Sequence, residues 1–190
     1  MLSEEKRIKT KAQLKEFLDI ECARYPVHGR RYISYLLQIS EGAILRRHTV
    51  LLRKTEYFVN TGKRIRATIY QALLMRFQNK YCIKIPLNTC DKGLMISHVY
   101  PLGMNGNVTV GKNCRIMPYA KLGGDDTLDK APVLGDNVTL GLDCTVVGDV
   151  YIADGITVGA GAVVTKSFYE PGISIAGVPA KKIGGAKEEA

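Results

Sequence analysis

Few side chains of this chain could do chemistry at neutral pH. The three histidines are His28, His48 and His98, and an imidazole is the side chain best suited to accept and release a proton near pH 7. The cysteines are odd in number, include no Cys-x-x-Cys pair and have no histidine at metal-ligand spacing, which predicts reduced packing residues and no metal site. These cysteines are Cys22, Cys82, Cys90, Cys114 and Cys144.

The charge distribution divides the 190 residues into two regions. Residues 1–80 hold 17 basic and 7 acidic side chains, whereas residues 81–190 hold 10 and 11, so the net charge of +9 lies in the first part. We therefore predict a basic helical region over 1–81 and a second domain over 82–190. No apolar run approaches a membrane span and no signal peptide is recognised, so we expect a cytoplasmic protein.

The first region has the apolar spacing of helices. One helical pattern covers Leu14, Phe17, Leu18 and Cys22, and a second runs from Ile33 to Ser40. Three glycines, Gly29, Gly42 and Gly62, divide the segment. The pattern predicts three or four helices ahead of the second region.

The second region has a period of six. Counting in sixes, ten successive positions carry only leucine, isoleucine or valine: Val110, Ile116, Leu122, Leu128, Leu134, Leu140, Val146, Ile152, Val158 and Val164. This period is neither that of a helix nor that of a simple amphipathic strand. It predicts a chain that winds round a triangular prism, turns a corner every six residues and points one side chain per hexad at the axis.

Two further positions of each hexad agree with this interpretation. The third residue after each ladder member is Gly, Asn or Asp in seven hexads, and these types tolerate a positive φ at a corner; they are Asn113, Asp125, Asn137, Asp143, Asp149, Gly155 and Gly161. The fourth is small or apolar in eight: Cys114, Ala120, Val138, Cys144, Val150, Ile156, Ala162 and Phe168. The two exceptions are Asp126 and Pro132, so we expect an exposed loop over 123–133.

Such a rod has about five coils, stacked about 4.8 Å apart by parallel strand pairing. Its two open ends need covers. We expect the helical region to cover one end and the tail after Phe168 to cover the other.

The hexad ladder and the tail Ile175-Ala-Gly-Val-Pro-Ala-Lys181 resemble the left-handed β-helix hexapeptide acyltransferases. Within that superfamily the chain is most similar to the serine acetyltransferase-like branch. The segment from Ile85 to His98 looks like the entry coil of its surface-polysaccharide O-acetyltransferases. The resemblance implies a mainly β fold, a left-handed parallel β-helix preceded by a small helical region, and an enzyme that uses acetyl-CoA and no metal.

The resemblance also implies site residues. His98 matches the position of the general base, which takes the proton of the attacking hydroxyl. Gly124, Leu142, Ala160 and Lys181 match coenzyme A contacts, the last beside the phosphates. Lys166 and Lys182 are weaker candidates for the same phosphates.

Departures from the family pattern bear on the acceptor. Serine acetyltransferases carry an aspartate where this chain has Ser97, an acidic residue where it has Ile83, and an Arg-His pair where it has Lys130-Ala131. A free amino acid is bound poorly without groups that recognise its charges. We therefore expect a hydroxyl of a sugar or surface-polysaccharide precursor as acceptor, with serine as the alternative, and Asp91 or a backbone carbonyl to orient His98.

Other interpretations remain open. A non-catalytic hexapeptide scaffold that binds partners through its flat faces is one, whereas a zinc enzyme with three histidine ligands is disfavoured because the rod has one histidine. The family resemblance implies a homotrimer with its sites between prisms. The basic helices include Arg46, Arg53 and Arg76. The first interpretation of their charge is a solvent-exposed helix face, the second is binding to an anionic inner membrane leaflet, and the third is binding to an acidic glycan. Binding to nucleic acid is the least favoured.

Overall fold

Three α-helices lie ahead of the strands in the computed structural model, which describes residues 2–26, 37, 40–124 and 130–185. They are α1 (Lys11–Ala23), α2 (Glu41–Asn60) and α3 (Arg64–Tyr81), preceded by a 3-10 turn at Glu4–Lys6. The predicted helical pattern from Ile33 to Ser40 lies mostly outside the described residues, as does His28. The division into domains 1–81 and 82–190 stays a prediction, although α3 ends and the first strand begins at that boundary.

Local capping accounts for the helix ends. Thr10 and Gln13 form a capping box at the start of α1, and the Ser40 hydroxyl accepts the N–H of Ala43 at the start of α2. Gly62, with φ of +67°, provides the left-handed turn between α2 and α3. Each helix therefore begins or ends where the sequence supplies a suitable residue.

Fourteen short strands follow in the described part of the chain, all after residue 82. They are β1 (Ile83–Lys84), β2 (Met95–Ile96), β3 (Leu102–Met104), β4 (Thr109–Val110), β5 (Arg115–Ile116), β6 (Lys121–Gly123), β7 (Val133–Leu134), β8 (Thr139–Leu140), β9 (Thr145–Val147), β10 (Tyr151–Ile152), β11 (Thr157–Val158), β12 (Val163–Val164), β13 (Ser174–Ala176) and β14 (Lys181–Gly184). They form three sheets, ordered β1-β3-β6-β9-β12, β4-β7-β10 and β2-β5-β8-β11-β13-β14, which we call the first, second and third sheets.

The pairing pattern makes these sheets the three faces of one β-helix. Up to β13, each strand pairs in parallel with the strand one coil later, and successive strands along the chain belong to different sheets. At the far end β14 instead pairs antiparallel with β13, so the tail covers the last strand of the third sheet. The predicted winding and the cover at this end are confirmed.

The predicted ladder of Leu, Ile and Val is the axial core. Nine of its ten members lie in strands β4 to β12 and are at most 2% exposed; the tenth, Leu128, lies outside the described residues. Among the described residues, the second inward position is also buried from Cys114 to Ala162, and Phe168 is half-buried. Branched aliphatic side chains from all three sheets therefore pack on one axis.

The described corner residues follow the prediction with one exception. Asn113, Asn137, Asp143, Gly155 and Gly161 all have positive φ. The prediction for Asp149 is wrong, because the preceding glycine, Gly148, takes the left-handed conformation at φ of +91°. Tyr119 also has positive φ, at +62°, although a bulky residue is uncommon there. Asp125 lies outside the described residues.

The cysteines are free, and four of the five are packing residues as predicted. Cys22, Cys90, Cys114 and Cys144 are buried, whereas Cys82 is exposed as the left-handed cap of α3. Burial raises the pKa of the Cys90, Cys114 and Cys144 thiols to about 12. These thiols are therefore unreactive at neutral pH.

The helical region covers the first coil through a buried charge cluster centred on Arg53. Its guanidinium contacts both carboxylate oxygens of Glu21, at 2.6 and 2.9 Å, and Glu56 at 2.9 Å. It also donates to the carbonyl oxygens of Cys90 and Asp91 in the first coil, at 2.8 and 3.0 Å. The charge cluster thus joins α1, α2 and the first coil, which confirms the expected cover at this end.

Arg53 corrects the prediction of an exposed basic segment. The side chain is 0% exposed and paired, so it adds nothing to a charged surface. No helix among the described residues is both long and apolar enough to cross a bilayer. The predicted cytoplasmic location and the predicted contact of the basic helices with a membrane surface stay predictions.

Candidate active site

The register of the third sheet aligns three predicted site residues along one corner. Parallel pairing joins β2, β5, β8 and β11 with no shift. His98, Leu142 and Ala160 each lie two residues beyond the second residue of their strand (β2, β8 and β11), and all three are exposed. Because neighbouring strands are about 4.8 Å apart, Leu142 and Ala160 lie about 10 and 14 Å from His98 along the axis. We call this row the His98 corner.

Lys181 lies at the far end of the same corner. It is opposite Ala176 in the antiparallel pair of β13 and β14, and β13 is the neighbour of β11. Its neighbour Lys182 is paired with Glu170 at 2.6 Å, whereas Lys181 forms no ion pair with any described residue. Of Lys181 and Lys182, Lys181 is thus the one free to meet an anion at this corner.

Gly124 lies on a different corner. It follows β6 of the first sheet, and the register of that sheet aligns it with Gly148 and with Lys166. A Cβ at Gly124 would lie 2.8 Å from the carbonyl oxygen of Lys130 and 3.1 Å from the Ala131 Cβ, so packing alone requires glycine. Within one chain, Gly124 and Lys166 therefore lie at a corner that one face of the prism separates from the His98 corner.

A carboxylate of the helical region contacts the His98 imidazole. Glu41, in the first turn of α2, places Oε2 3.1 Å from His98 Nδ1, and its Oε1 accepts the N–H of Val99 at 2.8 Å. A carboxylate only accepts hydrogen bonds, so in the neutral imidazole Nδ1 carries the hydrogen and Nε2 keeps its lone pair. Both side chains are about half exposed, at 51% for His98 and 45% for Glu41.

The strand that leads into His98 is held from outside the coil. β2 is the edge strand of the third sheet, and the Tyr25 hydroxyl donates to the Ile96 carbonyl oxygen at 2.7 Å and accepts its N–H at 2.9 Å. Burial raises the pKa of Tyr25 well above its ordinary range, so the hydroxyl stays protonated. Ser97 accepts a hydrogen bond from Arg115 Nε at 2.9 Å, which ties it to the next coil.

Two tyrosines flank His98 at the same corner. Tyr100, whose N–H donates to the His98 carbonyl oxygen, has its ring centroid 5.4 Å from that of Tyr119 on the next coil. The rings are tilted by 44° and are 48% and 42% exposed. They present an exposed aromatic pair at the corner that carries His98.

Sequence reasoning missed Glu41, Tyr25 and the tyrosine pair. The carboxylate that contacts His98 is Glu41 and not Asp91, which is 4% exposed and accepts the N–H of Lys92. Nothing in the sequence connects Glu41 with a histidine 57 residues later. Tyr119 did carry a signal, because it occupies a corner position where Asn, Asp or Gly is expected.

No ligand set for a metal is formed by the described residues: no group of three or more His, Cys, Asp or Glu side chains is close enough to hold an ion. The remaining described histidine, His48, is 0% exposed and lies against Gln78 in the helical region. It is a structural residue, and His98 is the accessible imidazole of the described chain.

The chain is similar in sequence to serine acetyltransferases, although no protein-family model matches it. It is 26% identical to one from Buchnera aphidicola over 140 residues, or 72% of this chain and 52% of that protein. It is 31% identical to serine acetyltransferase 4 of Arabidopsis thaliana over 130 residues, or 67% of this chain and 36% of that protein. The chain thus spans about half the length, or less, of the curated relatives it matches.

Solved structures of serine acetyltransferases from other organisms have a fold similar to that of this chain. The serine acetyltransferase of Neisseria gonorrhoeae aligns with a TM-score of 0.69 and 21% identity over 95% of this chain and 70% of that one. The Brucella abortus serine acetyltransferase in complex with coenzyme A aligns with a TM-score of 0.62 and 20% identity over 92% and 68%. The predicted mainly β class, a left-handed β-helix after a helical region, is confirmed. This chain has the hexapeptide-repeat acyltransferase fold of the serine acetyltransferases.

Proposed function

We propose that this protein is an acetyl-CoA-dependent O-acetyltransferase with His98 as general base. The observation that carries the proposal is the exposed His98 imidazole, with Nε2 free of any described partner, in one row with Leu142 and Ala160. The similarity to serine acetyltransferases supports the same activity.

The reaction begins with the neutral imidazole, whose Nε2 lone pair can accept a proton. Nε2 takes the proton of the acceptor hydroxyl as its oxygen attacks the thioester carbonyl carbon. The carbon–sulfur bond then breaks, and the imidazolium returns the proton to the departing coenzyme A sulfur. An acetyl ester and free coenzyme A result, and His98 ends in its starting state.

Coenzyme A would lie along the His98 corner. Leu142 offers an apolar surface and Ala160 a small one for the pantetheine arm, and Lys181 at the far end suits the phosphates. Ala160 lies three coil spacings, or about 14 Å, from His98 along the axis. This arrangement extends the thioester to His98 and leaves the anionic end at the tail.

We propose that the site is completed by a neighbouring copy in a homotrimer. Gly124 and Lys166 lie on another corner of the prism, so one copy cannot bring them to its own His98. Side-by-side prisms would bring that corner of one copy against the His98 corner of the next. Both predicted groups of coenzyme A contacts would then line one groove.

L-Serine is the acceptor that the relatives favour. They are serine acetyltransferases, and a solved relative from soybean holds serine. This favours the alternative over the sugar acceptor that the sequence predicted. Nothing in these relatives supports the polysaccharide-specific interpretation.

A sugar hydroxyl is the second candidate, and the pair of Tyr100 and Tyr119 favours it. Exposed aromatic rings on the corner that carries the base suit the apolar face of a pyranose ring better than a charged amino acid. Ser97, Ile83 and Lys130 stand where serine acetyltransferases have groups that act on serine, as the resemblance implies.

The test is thiol release from acetyl-CoA by the full chain, with L-serine and with a panel of sugars as acceptors. His98→Gln should lower kcat by about 10²- to 10⁴-fold, because general base catalysis contributes that much. Coenzyme A binding, measured by calorimetry, should survive the substitution. Lys84→Gln, which removes an exposed charge from β1, is the matched control.

Each outcome of this test decides between the candidates. Selective turnover of serine or of a sugar identifies the acceptor. Equal activity of His98→Gln and wild type removes His98 as the base. No turnover with any acceptor and no binding of coenzyme A would overturn the proposal in favour of a non-catalytic scaffold.

A further inference from the structure

We propose that Glu41 is the positioning residue for His98, an inference that rests on the proposed function. It holds the imidazole in the tautomer and orientation that leave Nε2 as the base. The helical region, in addition to covering the end of the β-helix, thereby supplies the carboxylate that meets His98.

The contact has two points, which is what orientation requires. One carboxylate oxygen of Glu41 meets Nδ1 of His98 at 3.1 Å, and the other accepts the N–H of Val99 at 2.8 Å. The second bond fixes the carboxylate against the backbone that carries the imidazole. The ring therefore has a defined partner on one side and is open on the other.

Among the described residues, no carboxylate of the coils contacts His98. The positions that hold acidic residues in serine acetyltransferases, as the resemblance implies, are Ser97 and Ile83 in this chain. Ser97 is bonded to Arg115, and Ile83 is 0% exposed in the core. Glu41 thus supplies, from another element, a carboxylate that Ser97 and Ile83 cannot provide.

Glu41 is itself well held. It lies in the first turn of α2, where the helix dipole stabilises a negative charge. Arg46, on the next turn, donates to the carbonyl oxygens of Cys22 and Tyr25 at 2.7 and 3.3 Å. The Arg53 charge cluster attaches the same helix to the first coil. These contacts keep the start of α2 beside the His98 corner.

Glu41→Ala and Glu41→Gln test the inference. Glutamine offers one acceptor oxygen where glutamate uses two, so it should retain only part of the effect. We expect kcat to fall by about 10- to 100-fold in Glu41→Ala, and less in Glu41→Gln, because a misoriented base costs rate. KM for acetyl-CoA should not change, since Glu41 is not on the predicted coenzyme A row.

NMR of the imidazole nitrogens gives a readout that a purely structural role would not move. With the ring neutral, wild-type His98 should carry its hydrogen on Nδ1. In Glu41→Ala, the hydrogen should move toward Nε2, the nitrogen whose lone pair must be free to accept the hydroxyl proton. The control is Glu16→Gln, because Glu16 also joins the helical region to the first coil, through Lys92, without contacting His98.

The outcomes separate this inference from the proposed function. Wild type that turns over acetyl-CoA, with Glu41→Ala as active as Glu16→Gln, would overturn the role of Glu41 alone. Absence of turnover by the wild type would contradict the proposed function. An unchanged His98 tautomer in Glu41→Ala would in that case contradict the positioning role as well. If Glu41→Ala does not fold, Glu41→Gln carries the same comparisons.

Discussion

The helical region and the β-helix of this protein are stabilised in different ways. The β-helix repeats one design, with an aliphatic side chain on the axis in each described hexad and a parallel hydrogen-bonded ladder on each face. The helical region has no repeat and depends on particular buried pairs, above all Arg53 with Glu21, 32 residues earlier, and with Glu56 on the same helix. A periodic structure spreads its stability over equivalent positions, whereas the helical region concentrates it in a few.

The two regions meet at the His98 corner, and this is where the difference matters for function. The β-helix places His98 in a row with Leu142 and Ala160. The helical region adds the contacts that no repeat provides, the Tyr25 hydroxyl on β2 and the Glu41 carboxylate on His98.

The largest expected effect comes from breaking the Arg53 charge cluster. Burial alone would lower the pKa of Arg53, but Glu21 and Glu56 outweigh it and raise the pKa, so the group is charged when folded. Arg53→Ala leaves two buried carboxylates unpaired and should lower the free energy of unfolding by about 3–5 kcal/mol, measured by urea denaturation. Lys15→Ala, which breaks an exposed pair on α1, should cost about 0.5 kcal/mol or less. Equal costs for the two variants would remove the charge cluster as the main attachment.

A smaller effect, confined to acid, is expected from His48. Burial and the Arg53 charge lower its pKa to about 4, against about 6.5 in the unfolded chain. Between these values the unfolded state binds a proton that the folded state does not. Stability should therefore fall as the pH drops from about 6.5 to 4, by about 3 kcal/mol in all.

The uncharged variant His48→Gln isolates this contribution. Unfolding free energies of variant and wild type are compared from pH 7.5, where His48 is neutral in both states, down through the acid window. The acid loss should be smaller in the variant, and parallel curves would contradict a neutral buried His48.

The smallest expected effect comes from shortening axial side chains, and it tests whether the coils of the β-helix contribute equally to stability. Ile116→Val and Ile152→Val each remove one methylene from fully buried axial positions on different sheets. Each should cost about 0.5–1.5 kcal/mol, and the double variant should cost their sum within about 0.5 kcal/mol. Val147→Ala on the outer surface should cost about 0.5 kcal/mol or less. Unequal or strongly coupled costs would mean that the coils are not equivalent.

Much of the β-helix was predictable because its order is local. A hexad repeat needs only the residue types at fixed spacing, so the axial ladder and most left-handed corners could be read in advance. The error at Asp149 is instructive, because the adjacent Gly148 adopts a positive φ at lower cost and moves the corner by one residue. Tyr119 shows the reverse, a bulky residue kept at a corner where its ring meets Tyr100.

The helical region was predicted less well because its important contacts are not local. Arg53 belongs to a basic stretch in the sequence and was expected on the surface. Its partner Glu21 lies 32 residues earlier, and only the packing of α1 against α2 brings the two together. The pairing of Glu41 with His98 across 57 residues was likewise beyond any spacing rule.

The amino-acid sequence by itself determined the period of six, the axial core and the single histidine of the β-helix, because these follow from residue type and spacing along one coil. Only the tertiary structure decided which predicted site residues share a corner, which carboxylate meets His98 and which arginine is buried. Those facts depend on how separate elements stack and dock, and the free energy of such contacts is set by distance in space and not by distance along the chain.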